Sequence, residues 1–384
     1  MLIRLQGCVL SPSLFNLFIR DLPAIFDDTC NPASLHNKPV SCLMFADDLV
    51  LISLSISGLQ ASLNKLEEYC TKWNLNINHN KTKIIIFNKA GNCLRHIKFS
   101  VNGQLLEVCS SYMYLGVIFT PCGSFTKAVD HLTDQAMKAL FKLKQKDIRD
   151  NVYTGLKLFD TLIMPIIRYC AEVWSPYYIK NLNENNFLSL CEKFPGEKIH
   201  MKFNRYLLGV NKKATNIAVR AELGRRPILI ELLNHSTKYW LHLCDLDLKP
   251  VVKLSYLESY TLCQFQTQKI NWMTNIKHLL CNFSMQGIWN NNGSIYKHKT
   301  IRQLTFQMHK LYDDLWWKKI NQEDSKLRTF KLFKTNIILE NYLLAIHDTS
   351  KRQEFSKLRI SAHQLRIELG RYSVPRKTPL ENRT

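Results

Sequence analysis

The chain has 384 residues, 46% of them hydrophobic, and a formal net charge of +21. That apolar share supports large cores and excludes a wholly disordered chain, and the length accommodates two or three domains. No run of about 18 apolar residues occurs, so the sequence predicts no membrane association through a spanning helix. The charge is uneven. Residues 1–50 carry three basic and five acidic side chains, whereas residues 351–384 carry nine basic and three acidic. A basic excess of this size points to a polyanion partner, most often nucleic acid, against the plainer reading of a solvated basic surface. The twelve cysteines show no C-x-x-C pair, which argues against zinc and disulfide frameworks and for a reduced intracellular protein in the nucleus or cytoplasm. The opening "MLIRLQGCVLSPS" is broken by Arg4 and Gln6 and is not a secretory signal. It starts directly in an apolar stretch, as a fragment of a longer protein would.

The first element expected is a helix from about Pro12, capped by Ser11 and ended or kinked at Pro23. "NPASLHNKP" reads as loop. "SCLMFADDLVLIS" (residues 41–53) places Asp47 and Asp48 inside an apolar run. It reads as two short strands around a turn at residues 46–48, with a continuous buried helix as the rival. A helix over 57–73 follows, with Leu59, Leu63, Leu66, Cys70 and Trp73 on one face. "KTKIIIF" (81–87) is a strand candidate. Asn102-Gly103 between alternating residues is a hairpin signal, and "YMYLGVIF" (112–119) reads as one more strand. Beyond Gly123 the pattern turns to long helices. One covers "FTKAVDHLTDQAMKALFKLKQK", with Lys138, Lys142, Lys144 and Lys146 near its end. Another is apolar with a kink at Pro165. Residues 226–384 read as mostly helical, with "QGIWNNNGS" (286–294) as a polar joint. The fold class expected is α+β, with helices packed on an antiparallel sheet.

Adjacent carboxylates at a hairpin tip can hold divalent cations beside a reacting phosphate, because Mg²⁺ takes oxygen ligands together with substrate phosphates. Alone, an Asp-Asp turn is more often a solvated turn. Here it stands in company. "QGCVLSPSLFNLFI" followed by "FADDLVLIS" resembles reverse transcriptases of non-LTR (LINE-type) retrotransposons. "LNKLEEYCTKWNLNINHNKTKIIIF" resembles the helix and strand of palm motif D, and "YLGVIF" the primer-grip hairpin of motif E. "LIMPIIRYCAEVWSP", "FNRYLLGVNKKATNIAVRAELGRRPI" and "KLRISAHQLRIELGRYSVPR" resemble downstream helical segments of the same proteins.

The resemblance implies roles residue by residue. Asp47 matches the metal-binding aspartate of the (Y/F)xDD box, Asp48 its supporting neighbour, and Phe45 and Ala46 complete the box beside the substrate. Gln6 and Gly7 match the "QG" that lies against nucleotide and template. Lys81 matches a candidate general acid for the pyrophosphate leaving group. Lys83 is its rival, and a solvated strand start is the plain alternative for Lys81. Tyr114, Leu115 and Gly116 match the primer grip, with sheet packing as the alternative for Leu115. The implied activity is RNA-directed DNA polymerisation with a two-ion Mg²⁺ site, an RNA template, a DNA primer and dNTPs. The family's third carboxylate (motif A), its fingers and its endonuclease precede the "QG" segment, so an incomplete metal site and inactivity of this chain alone are expected. Asp21, Asp27 and Asp28 follow that segment and cannot take the missing place. The organisation expected is 1–123 as the C-terminal part of a palm (motifs B to E), 124–225 as a helical thumb-like region, and 226–384 as a basic helical C-terminal region. The alternative function is a catalytically inactive basic RNA or RNA/DNA-binding remnant.

Overall fold

The computed structural model describes residues 10–248, 251–265, 271–322, 326–327 and 329–363. It is an α+β protein that divides into two compact units, Met1–Lys127 with Leu246–Phe265 and Ala128–Asp245 with Gln266–Thr384.

In the first unit, α1 spans Ser11–Phe18. The expected Ser11 cap is not made. Leu10 occupies the cap position without a side-chain bond, because Ser11 is already the first helical residue. Pro23 falls in a separate 3₁₀ turn, Leu22–Ile25, since proline has no N–H to continue an α-helical ladder. The expected loop at 31–39 contains a small hairpin, β1 (Ala33–Leu35) with β2 (Lys38–Val40). Its two-residue turn, His36-Asn37, has positive φ at both positions, which suits the twist of paired strands. Pro39 sits opposite Ser34, a non-hydrogen-bonded position where its missing donor leaves no gap in the ladder. The strand pair around the aspartates forms as expected: β3 (Cys42–Phe45) runs antiparallel to β4 (Asp48–Leu51).

Helix α2 (Ile56–Lys72) starts where the Ser55 side chain accepts a hydrogen bond from the Gly58 N–H at 3.1 Å. Its two sides serve two cores. Leu59 and Leu63 pack with Ile84, Phe99, Val101, Leu106 and Val108. Leu66 and Tyr69 pack with Ile19, Leu22, Phe26 and Cys30 and with Cys42 and Leu49 of the aspartate hairpin. Leu51 touches both cores. Polar bonds fix the register: the Gln60 amide donates to the Ser100 carbonyl (2.8 Å) and accepts from the Ser100 N–H (3.1 Å).

The strand expected over 81–87 shrinks to β5 (Lys83–Ile84), which pairs parallel to β7. Lys81 and Thr82 are drawn into a turn on the Asn78 carbonyl. β6 (Phe99–Val101) and β7 (Gln104–Val108) form the hairpin signalled by Asn102-Gly103, both with positive φ. Residues 112–119 are not one strand but a fourth tight hairpin, β8 (Tyr112–Tyr114) with β9 (Val117–Phe119). Leu115-Gly116 at its tip again has two positive φ angles. Alternation shows both strands but hides a turn whose first residue is leucine. Among the described residues the strands form four small sheets, mostly antiparallel, one of which also holds a parallel pair.

Helix α3 spans Thr126–Lys144. In the second unit follow α4 (Val152–Leu158), α5 (Met164–Ile167), α6 (Ala171–Trp174), α7 (Phe187–Lys193), α8 (Pro195–Leu208), α9 (Asn216–Glu222) and α10 (Ile228–Asp245). Helix α11 (Val251–Phe265) belongs to the first unit. Then come α12 (Trp272–Asn282), α13 (Gln286–Asn290), α14 (Lys297–Ile320), α15 (Phe330–Phe333), α16 (Tyr342–Ala345) and α17 (Thr349–Arg359). The kink expected at Pro165 is a π-turn over Phe159–Ile163, with a further break at Cys170, whose φ is 52°. The polar joint at 286–294 is not all loop. α13 forms there and buries Trp289 against Trp240, rings 5.7 Å apart and stacked; its asparagine-rich flank masks the anchor.

A buried charge cluster ties five of these helices together. Arg220 of α9 donates to Glu197 of α8 (2.8 Å), to Glu192 of α7 and to the Tyr312 hydroxyl of α14 (2.9 Å). Glu197 also accepts from the Ile228 N–H of α10 at 3.0 Å and meets His200 Nδ1 at 3.0 Å. Burial opposes the Glu197 charge, but His200 and Arg220 outweigh it and bring the carboxyl to about 2, from 4.5. Burial pushes His200 down, against the opposing pull of the Glu197 carboxylate.

These packing and charge constraints can be tested by unfolding. A Cβ on Gly58 would lie 2.5 Å from the Cys30 carbonyl and 2.6 Å from Ser53 Oγ, so Gly58→Ala lowers stability by about 1–3 kcal/mol in urea unfolding. Arg220→Met strands the Glu197 carboxylate and costs about 3–5 kcal/mol. Because the folded-state pKa of Glu197 is depressed, its contribution is complete above about pH 4.5 and is lost as pH falls toward 2. Acid unfolding of Arg220→Met lacks that component of the pH slope.

Candidate active site

Strand pairing decides where the two aspartates point. Phe45 pairs with Asp48, leaving Ala46 and Asp47 as a two-residue turn. Directly opposed residues share a face, and successive ones alternate. Cys42, Leu49 and Leu51 therefore turn inward to their core contacts, while Phe45 and Asp48 turn outward. Both carboxylates are exposed, and Phe45 is 62% exposed. The apolar run around them thus buries neither acid. Ala46 has φ 52°, a left-handed conformation that costs a non-glycine residue about 1–2 kcal/mol.

The β8–β9 hairpin lies within electrostatic reach of this tip. The Tyr114 hydroxyl is raised from its ordinary pKa by burial and by the negative charge of Asp48. On the same strand, the Tyr112 hydroxyl donates to the Lys81 carbonyl at 2.9 Å. The segment bearing Lys81 is further held by Asn78, whose side chain and carbonyl both accept from the Lys81 N–H, each at 3.1 Å. Sequence reasoning gives Asn78 no role. The available signal is an Asn three residues before the lysine, a spacing suited to a side-chain-closed turn.

The two lysines differ. Lys83 Nζ pairs with Glu107 at 2.7 Å across the β5–β7 pair. The Lys81 side chain is exposed and makes no ion pair with a described residue. Leu115 and Gly116 form the turn next to Tyr114. Gln6 and Gly7 lie outside the described residues, as does most of "KLRISAHQLRIELGRYSVPR". Phe45, Ala46, Asp47 and Asp48 are therefore gathered at one hairpin tip, and Lys81 is tied to the strand that carries Tyr114.

Other acids near the start of the chain have different duties. Asp21 accepts from the Tyr69 hydroxyl at 2.6 Å. Asp27 caps the turn at Thr29 (3.0 Å) and pairs with Lys65 at 2.5 Å. Lys65 above all, and Thr29 after it, hold the Asp27 carboxyl down at about 2. Among the described residues no group of three or more His, Cys, Asp or Glu side chains is placed to share a metal ion.

Residues 4–119 match the family described as reverse transcriptase (RNA-dependent DNA polymerase). The chain is 26% identical over 212 residues to the RNA-directed DNA polymerase from mobile element jockey of Drosophila funebris, covering 51% of this chain and 22% of that protein. It is 26% identical over 199 residues to the jockey protein of Drosophila melanogaster, covering 48% and 20%. The matches therefore span about a fifth of these relatives' length. No solved structure matches the chain. The reverse-transcriptase segment contains α1, α2 and both site hairpins. No helix among the described residues is long and apolar enough to cross a membrane.

Because the Asp48 charge adds to burial in raising the Tyr114 phenol, Asp48→Asn is expected to lower its pKa. An alkaline titration followed by the NMR signal of its Cζ carbon reads this directly. An unmoved midpoint would separate the two hairpins.

Proposed function

We propose that the Asp47–Asp48 hairpin is part of the nucleotidyl-transfer site of an RNA-directed DNA polymerase of the non-LTR retrotransposon type. The observation that supports this most is the hairpin that exposes both Asp47 and Asp48 at its tip inside the segment matched to reverse transcriptases. The donor set fits a hard divalent cation in part: two exposed carboxylates on one turn, both oxygen ligands. Bound there, Mg²⁺ would stabilise charge on the transferring phosphate. Asp47, at the tip, is assigned the direct metal contact and Asp48 the supporting charge. The fixed hairpin limits their movement, which favours a preorganised site. Tyr114, Leu115 and Gly116 are assigned to the primer backbone, where the tight turn brings main chain close to phosphate. Phe45 and Ala46 border the nucleotide, and Gln6 and Gly7 the template. Lys81, unlike the paired Lys83, is available to protonate the pyrophosphate leaving group.

Two carboxylates hold a two-ion site poorly. In this reading a third acid comes from outside the described residues, and RNA template, DNA primer and dNTPs are the partners of the completed enzyme.

Primer extension on an RNA template with Mg²⁺ tests the reading. The 384 residues alone are expected to incorporate no dNTP, and extension is expected once they are joined to a palm segment bearing an acidic strand. In that joined protein Asp47→Asn abolishes extension. Lys81→Ala lowers the rate by about 10²-fold or more, the range of a lost general acid, while Lys83→Ala has a smaller effect. Extension that survives Asp47→Asn would overturn the assignment.

A further inference from the structure

The outer face of α14 carries a pattern that the polymerase site does not use. At 3.6 residues per turn, Lys299, Arg302, Phe306, Lys310 and Trp317 fall within an arc of about 80°. The opposite side holds Thr300, Leu304, Met308, Tyr312 and Trp316, all buried. All five outward residues are exposed, Phe306 to 67% and Trp317 to 43%. The three cations make no ion pair with a described residue. By contrast Lys297, at the start of the helix, is paired with Asp245. The nearest acid on the strip, Asp313, is already neutralised by Arg226 through two bonds of 2.8 and 2.5 Å. Asp314 lies at the border and is exposed. Folding explains the buried side of α14 and leaves two large aromatics and three cations in water.

We propose that this face of α14 binds single-stranded RNA, with Phe306 and Trp317 stacking unpaired bases and Lys299, Arg302 and Lys310 neutralising phosphates. Exposed π-faces between free cations suit a strand whose bases are accessible. The excess positive charge of the whole chain favours the same polyanion. At 1.5 Å per residue the strip from Lys299 to Trp317 is about 27 Å long, room for a few nucleotides of extended strand. An RNA of any sequence would fit, since stacking and phosphate contacts do not read base identity. The assignment deepens the nucleic-acid part of the function proposed above but uses none of the polymerase site.

Fluorescence anisotropy of a labelled single-stranded RNA with the full chain tests it. Phe306→Ala/Trp317→Ala is expected to weaken binding by about tenfold or more with an unchanged salt slope. Phe306→Tyr/Trp317→Tyr is expected to restore it. Lys299→Ala/Arg302→Ala/Lys310→Ala is expected to lower the slope of log affinity against log salt by about 2, at roughly 0.7 for each phosphate no longer neutralised. Duplex RNA is expected to be insensitive to the aromatic variant. All five side chains are exposed, and a thermal melt of each variant checks that folding is kept. Wild-type binding by both altered proteins, no RNA binding at low salt, or preference for single-stranded DNA would overturn the proposal. Asp47→Asn, which removes the polymerase metal ligand, is expected to leave this binding unchanged, so failure of either assignment is read separately.

Discussion

Helix α2, held between two apolar cores, is the constraint on which the candidate site depends. One side of it packs on the β5–β7–β6 sheet and the other on α1 and the inner face of the aspartate hairpin. Leu51, at the end of β4, touches both cores. The outward face bearing Asp48 is therefore set by what its neighbours bury. Gly58 lets α2 approach the Cys30 turn closely, and Ser53 Oγ donates to the Cys30 carbonyl at 2.8 Å. Hydrophobic burial supplies the attraction here, and the absence of one methyl group permits the geometry.

Charge divides into two populations. Many of the basic residues that give the chain its +21 are engaged inside it. Arg220 is fully buried and pairs with Glu192 and Glu197, Arg225 pairs with Asp160, and Arg359 bridges Glu222 and Glu340 while stacking near Phe333 and Tyr342. A buried guanidinium needs such partners, because desolvation otherwise outweighs its attraction to any one acid. Lys299, Arg302 and Lys310 along α14 face water. Because each ion pair consumes an acid as well as a base, the excess of 21 positive charges is left over after all 31 acids are matched.

The sequence was most legible where local chemistry is strong. The Asp-Asp turn, the Asn102-Gly103 hairpin and α2 lie close to where turn residues and apolar spacing put them. It was least legible where a tertiary contact overrides local preference. Leu115 takes a left-handed φ that leucine does not advertise, so a hairpin read as a strand. His36-Asn37 closes a hairpin across a stretch rich in loop formers. Lys81 and Lys83, inseparable by spacing, are told apart by Glu107, twenty-four residues beyond Lys83.

By itself, then, the sequence determined the chemical cast: two carboxylates at a turn, a lysine after an asparagine, a tyrosine before a Leu-Gly tip, and their order along a reverse-transcriptase segment. Only the tertiary structure decided which of them meet. It brought the Asp48 charge within electrostatic reach of Tyr114, committed Lys83 to Glu107, and tied Asp21 and Asp27 to Tyr69 and Lys65. The physical reason is range. Turn geometry and strand alternation act over a few residues and are written locally. Ion pairing and burial act between segments distant in the chain, and their outcome depends on how the cores pack.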